Sequence, residues 1–392
     1  MDNLLERNKK HLLSKKVFFP QKNALKNLVS ALNKDKIAIV SGMRYSGKTK
    51  FILDMIKKTN AQENVFYFNS EVDTSKKIHT SNDLDILLEL HKRIESEPKL
   101  IVLQNINKIE WIKSYIWELY KKRKYKIIIV GNNIKIGGIK EIEIFPLKIE
   151  KIGTDNIENI LQYGQIEEVQ LIRDLYFKNF LLRNILEHIV LRDIIYTYDI
   201  KNTDLYYQVI SYMSQLDRCV SLRELHRELQ NHGVTIALMT LTDYVDASIK
   251  SKLLRKVSKY DIKTRKEISS KIQYYFADVW LRNLLTETPH LESLRENIIL
   301  NELEKKWYSV HRGINGRFEM TFQAKKWKTL LSIHFHNSDD KNELKKDARK
   351  LTKLWDDSQK FLVVKDKEVY NMRKYFFEDA QIVEIGELVK YL

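Results

Sequence analysis

Residues 36–58 read KIAIVSGMRYSGKTKFILDMIKK, and this stretch limits the fold more tightly than any other. Ile37 to Val40 is a short apolar run of the buried-strand kind. Gly42-Met43-Arg44-Tyr45-Ser46-Gly47-Lys48-Thr49 follows with the spacing G-x-x-x-x-G-K-[ST]. Lys50 to Lys58 then carries Phe51, Ile52, Met55 and Ile56 at helical spacing. Strand, glycine loop and helix in that order form a cradle for phosphate. Gly42 and Gly47 permit backbone conformations and a close approach that a side chain would block. The loop N–H groups and the helix N-terminus face an anion. Lys48 is placed to reach the β- and γ-phosphates, and the Thr49 hydroxyl to ligate Mg²⁺. A glycine turn with no ligand is the weaker account of the three elements together.

Short apolar runs alternate with helical segments downstream. Asn64 to Asn69 reads as a second strand, 82–95 as a helix, and Leu100 to Leu103 as a third strand. Residues 111–122 form a helix, Lys126 to Val130 a strand ending at Gly131-Asn132-Asn133, and Glu141 to Pro146 a further strand. That alternation implies a parallel sheet covered on both faces, with ligands beyond the carboxyl ends of its strands.

Leu100-Ile101-Val102-Leu103 ends on Gln104 and Asn105. In a working nucleotide site the first residue at such a strand end is an acid that helps hold Mg²⁺, and the next orients or activates water. Amides carry no charge and cannot act as a base. Gln104 and Asn132 remain candidate nucleotide contacts, although Asn favours the turn after a strand in any case. Glu71, Asp73 and Glu110 are the candidate substitute acids. Simple loss of activity is the better reading, since surface acids after strands are common. ATP bound with weak or absent hydrolysis is the expectation.

Charge and composition narrow the classes further. The chain of 392 residues has room for two or three domains, and few of them are helix breakers: Gly 11, Pro 4. A single cysteine, Cys219, excludes an intrachain disulfide framework or a Cys-based metal site. The sequence has neither an apolar run of transmembrane length nor a signal-peptide pattern at its start, so a cytoplasmic protein with no membrane partner is expected. Net charge is +16. Residues 1–50 carry twelve Lys and Arg against three acids, and 250–271 carry nine against two. Such clusters suit a nucleic-acid backbone, and equally a solvated lysine-rich surface.

The C-terminal half has its own patterns. Residues 155–216 are helical. Arg192 and Asp193 stand side by side within a long helix there. Residues 221–231 start at a Ser cap and place Leu222, Leu225 and Leu229 on one face. Residues 235–249 form the next helix. Leu253 to Val257 and Ile272 to Phe276 look like two strands of a wing joined by the basic segment Lys259–Lys271. The second helix is poor in the residues that read bases, so a structural connector fits better than sequence-specific DNA binding.

GMRYSGKT, LQNINKIEW, IIIVGNN and EIEIFPL together resemble prokaryotic AAA-type ATPases that carry a C-terminal restriction-endonuclease-like domain. The resemblance continues through Val190-Leu191-Arg192-Asp193-Ile194, Tyr274-Tyr275-Phe276-Ala277-Asp278 and Glu296-Asn297-Ile298-Ile299-Leu300-Asn301-Glu302-Leu303. It implies an α/β P-loop NTPase parallel sheet, then a helical lid, a winged helix and a restriction-endonuclease-like α/β domain. The corresponding divisions are 1–150, 151–216, 217–285 and 286–392. Departures from the family pattern fall at the chemistry. Its Asp-Glu becomes Gln104-Asn105. In the nuclease-like part Glu296 remains, the metal-binding Asp is Thr321, and the strand Leu330 to His334 offers Ser or Ile for the third ligand. Glu319 and His334 are weak substitutes, and no nuclease activity is expected. The resulting expectation is an ATP- and Mg²⁺-dependent sensor or assembly module with a protein partner or a second copy of itself. The alternative is a slow ATPase that grips nucleic acid through its basic clusters.

Overall fold

The computed structural model describes the chain apart from residues 1, 14–21, 59–64, 73–77, 107–108, 135, 154–155, 287, 289, 355, 368–375 and 378. Asp73, Asn64, Asn107 and Trp355 therefore lie outside the described residues. The chain divides into two compact units, 1–146 and 147–392.

The N-terminal unit is built on five parallel strands: β1 Ile37–Ser41, β2 Val65–Asn69, β3 Leu100–Gln104, β4 Lys126–Val130 and β5 Glu141–Glu143. Their spatial order is β2-β3-β4-β1-β5. Uninterrupted apolar runs suit strands buried on both faces, and alternate side chains go to opposite faces. Ile37, Ile39, Phe68, Ile101, Leu103 and Ile129 pack on one side with Leu84, Leu87 and Ile116. Ala38, Val40, Val102, Ile128 and Val130 pack on the other with Leu28, Phe51 and Ile52. The covering helices are α1 Asp2–Leu13, α2 Lys22–Lys34, α3 Lys48–Lys58, α4 Ser81–Ile94 and α5 Ile112–Lys121. A capping box between Thr80 and Asp83 starts α4. The segment expected as a strand over 141–146 is strand over Glu141–Glu143, and the Ile144 N–H adds a last bond to the Ser41 carbonyl at 2.8 Å. Because β4 lies between β1 and β3, its end faces both the glycine loop and Gln104.

The C-terminal unit places helices beside a mixed sheet of eight strands. These are β6 Leu254–Asp261, β7 Lys266–Phe276, β8 Ser309–Asn315, β9 Phe318–Lys326, β10 Thr329–Phe335, β11 Gln359–Val364, β12 Phe376–Phe377 and β13 Ala380–Glu384, in the order β12-β13-β11-β10-β9-β8-β6-β7. Ser221 caps the helix Leu222–Asn231 in a box with Glu224. The helix Leu238–Lys250 follows. The basic segment 259–271 is not the connecting loop expected from sequence. Most of it is strand, and the turn is confined to 262–265. Lys259 to Asp261 pair in parallel with Arg312 to Ile314, so the hairpin joins the same sheet as 309–384. The β6–β7 register slips between Ser258 and Lys259, which face Ile272 and Ile268, and this leaves 269–271 out of step. Arg192 and Asp193 lie in a π-helical turn, Ile189–Ile195, that continues the helix Leu175–His188.

The helix Leu291–Lys305 carries a buried polar network. Asn297 and Asn301 donate to the carbonyls of Phe276 and Ala277 at 2.8 and 3.0 Å. Glu302 accepts from Lys305 and from Gln165, both at 2.8 Å. Lys305 also donates to the Leu147 carbonyl at 2.7 Å. The Gln165 N–H donates to Asp278 at 2.8 Å. Burial pushes Asp278 up to about 7. An acid with a folded value above its unfolded value takes up a proton on folding, so it favours the folded state at low pH, and that contribution is lost as pH rises through the folded value. Stability of this unit is therefore expected to fall between about pH 4 and pH 7 on account of Asp278. Asp278→Asn should remove that part of the slope, as read from denaturation midpoints across the range.

Candidate functional site

The loop Gly42–Thr49 leaves the end of β1 and runs into α3. Gly42 has φ 142°, and a Cβ there would lie 2.2 Å from the Ile144 carbonyl oxygen, so the position excludes any side chain. Gly47 has φ 92° and Tyr45 φ 64°. Met43 and Ser46 are buried and anchor the loop, while Arg44, Tyr45, Lys48 and Thr49 are half-buried. The Lys48 ammonium folds back on the loop, donating to the carbonyls of Gly42 and Met43 at 2.8 and 2.9 Å. Those bonds hold the charge at the centre of the cradle, where a phosphate oxygen would take their place.

Gln104 and Asn132 both come to this loop. Asn132 Oδ1 accepts from the Gly42 N–H at 2.9 Å. Gln104 is buried. Its Oε1 accepts from the Tyr67 hydroxyl at 2.9 Å, and its Nε2 donates to Thr49 Oγ1 at 3.0 Å. Burial pushes the Tyr67 phenol well above its ordinary value, so it stays a donor. The amide oxygen thus faces Tyr67 and the NH₂ group faces Thr49, whose hydroxyl also lies 3.4 Å from the amide oxygen. A carboxylate at this place would present an anion to a cation on Thr49; the amide carries no net charge. Thr49 Oγ1 suits Mg²⁺ held mainly by phosphate oxygens and water, and Gln104 adds no charge to that set.

Asn105 turns away. It has φ 56°, and its Nδ2 donates to Asn69 Oδ1 at 3.0 Å. The same oxygen accepts from the Glu71 N–H at 3.1 Å. Asn69 in turn is held by α1, where Asn8 Oδ1 accepts its N–H at 2.7 Å. Tyr67, Asn69 and Asn8 carry no motif that would have marked them. The chemical signal is limited to a polar residue at the end of an apolar strand.

Of the two candidate substitute acids among the described residues, Glu71 is the one tied to the loop. Arg44 meets its carboxylate with two nitrogens at 2.6 and 3.2 Å, a fork-on-carboxylate pair. Arg44 thereby links the loop to the segment after β2. Glu110 is exposed in the turn before α5.

The nuclease-like residues are engaged elsewhere. Glu296 accepts from the Tyr275 hydroxyl and from Arg312, both at 2.8 Å. Burial and the neighbouring Glu296 carboxylate keep that phenol protonated. Thr321 Oγ1 accepts from the Phe335 N–H at 3.1 Å. Glu319 pairs with Lys259, and His334 lies 3.8 Å from Asp347, which His336 meets at 2.9 Å. Glu296 is thus part of a buried ion pair with Arg312 rather than one member of a carboxylate group.

An uncharacterised protein of Haemophilus influenzae is 23% identical over 347 residues, spanning 81% of this chain and 86% of that protein. A Walker-type ATPase of Pyrococcus abyssi aligns in structure at a TM-score of 0.45 and 11% identity, covering 68% of this chain and 96% of that one. AMPPCP-bound DnaA from Aquifex aeolicus aligns at a TM-score of 0.29 and 16% identity, covering 62% and 92%. Residues 34–150, which contain the glycine loop and strands β1 to β5, match the family model described as an AAA domain, so this segment is similar to AAA-type P-loop ATPases.

Proposed function

We propose that the chain binds ATP through Gly42–Thr49, hydrolyses it weakly or not at all, and uses the bound nucleotide as a signal for sensing or assembly. The observation that carries this reading is the Thr49–Gln104–Tyr67 chain of hydrogen bonds. It puts an amide donor where a hydrolysing site needs a carboxylate. Thr49 and the phosphates would hold Mg²⁺, which offsets phosphate charge when bound. The parts that the resemblance implies would serve as scaffold: 151–216 as lid, 217–285 as winged-helix connector, and 286–392 as a nuclease-like body without cutting activity. An assembly role gains support from the helix Leu175–His188, which exposes Tyr176, Phe177 and Phe180 at 75%, 60% and 54%. Adjacent apolar side chains at that exposure fit a protein partner or a second copy. No helix among the described residues is long and apolar enough to cross a membrane.

The test is ATP binding and turnover on one sample. At 100 times its dissociation constant ATP should stabilise the folded N-terminal unit by about 2.7 kcal/mol, seen as a raised melting temperature, and Lys48→Ala should abolish the shift. Turnover at the rate of ordinary P-loop enzymes, lost in Lys48→Ala, would overturn the reading. The slow-ATPase alternative draws on Glu71, held at the loop by Arg44, and on the basic hairpin around Lys263–Lys266. Its mark would be nucleic-acid affinity that falls steeply with salt.

A further inference from the structure

At the end of the N-terminal sheet remote from the loop, three neighbouring strands begin beside lysines. Lys36 precedes β1, Lys99 precedes β3 and Lys126 opens β4, which lies between the other two. The strands have five residues each. At about 3.3 Å per residue this end lies roughly 16 Å from the glycine loop. Lys124 adds a fourth cation.

These lysines rim a cavity of about 340 Å³ under α2. Its floor is apolar and buried, made by Leu32, Met55, Leu100 and Tyr125. Lys36 Nζ donates to the Arg123 carbonyl at 2.6 Å, and Lys126 Nζ to Asn33 Oδ1 at 2.8 Å. Both acceptors are neutral, so neither contact cancels the lysine charge. Lys124 differs: Glu97 meets it at 3.0 Å, and its charge is largely offset. Lys36 and Arg123 both hold positive φ, 59° and 50°. That backbone is costly for residues with side chains and persists where its surroundings enforce it.

We propose that this cavity binds a small organic monoanion with an apolar body, such as a medium-chain carboxylate. The lysines take the acid head and the floor takes the body. A phosphodiester backbone would use the lysines and leave the floor empty, which is the reason for choosing a small amphipathic acid. The volume lies at the lower end of small-molecule pockets. Met55 belongs to α3, the helix that starts at Lys48, so the occupant packs against the helix that carries the phosphate loop.

Octanoate is the probe, titrated calorimetrically into the full-length protein at low salt. The expected result is one saturable site per chain, with affinity at least tenfold weaker in the double variant Lys99→Gln, Lys126→Gln. Val29→Trp, which grows into the cavity from α2, should remove binding. 1-Octanol, the same body without the acid, should not compete, and saturating ATP should not displace octanoate. Lys99 and Lys126 are exposed, so the double variant keeps its fold, checked by an unchanged melting temperature. Three results would overturn the proposal: no saturable binding, equal affinity in the double variant, or competition by octanol equal to that of octanoate. The last would mark apolar adsorption without recognition of the acid.

Discussion

A chain carrying Gln104→Asp together with Asn105→Glu is expected to turn over ATP at least about 10²-fold faster than the native sequence, the lower bound for a positioned general base. The native geometry explains the size of the change. Gln104 spans Thr49 and the Tyr67 hydroxyl with a neutral amide. An Asp there accepts from Tyr67 and still offers an anionic oxygen toward a cation on Thr49. Asn105 cannot take a proton from water at any pH, whereas a Glu can. A Glu at 105 has no NH₂ group to donate to Asn69 Oδ1, so it is released from the contact that turns Asn105 away from the loop. The single Gln104→Asp change should tighten ATP in the presence of Mg²⁺ with little gain in rate. Steady-state phosphate release, with Lys48→Ala added as the control, decides the matter. If rate and affinity are both unmoved with the two acids in place, the idea that their loss silences the site is wrong. Arg44 locked on Glu71 would then be the next contact to break.

Glu302→Ala should lower stability by about 3–5 kcal/mol, the range seen when one partner is removed from a buried ion pair. The Lys305 and Glu302 side chains are 2% and 0% exposed. Burial already lowers the Lys305 value, so removing the carboxylate leaves an ammonium that must lose its proton or stay uncompensated. The same change frees the Gln165 amide and the Ile149 N–H, both of which donate to Glu302. Glu302→Gln keeps acceptor capacity and shape and should cost less. Urea midpoints for the two variants give the comparison. A loss below about 1 kcal/mol for the alanine variant, a normal hydrogen-bond contribution, would show that the pair is not sealed from water.

Much of the N-terminal unit could be read in advance because its information is local. A run such as IAIV or IIIV has few alternatives to a doubly covered strand, and G-x-x-x-x-G-K-T fixes backbone freedom and charge within eight residues. The helix start at Ser221 is legible for the same reason, since an N-cap acts within one turn. What escaped the reading depends on distant partners. Nothing near Tyr67 in sequence indicates that its hydroxyl sets the orientation of Gln104. Nothing near Glu296 points to Arg312, the residue that it pairs with. The basic segment 259–271 reads as a loop because lysines and serines dominate it. It is strand because it pairs with itself as a hairpin, and Lys259 to Asp261 pair in addition with Arg312 to Ile314, about fifty residues away.

The hairpin has a further consequence for how these molecules meet one another. β7 is one rim of the eight-stranded sheet, bridged at Ile272 by Val220 and open along its first half, and a bare rim is a template for a strand from another molecule. Along its first half Lys266, Glu267, Ser269, Ser270 and Lys271 are exposed, and the slip at 269–271 breaks the even spacing that a docking strand would need. Lys271 is also drawn to Glu224 at 3.0 Å, on the helix Leu222–Asn231. Charge and misregister together discourage open-ended stacking through this rim.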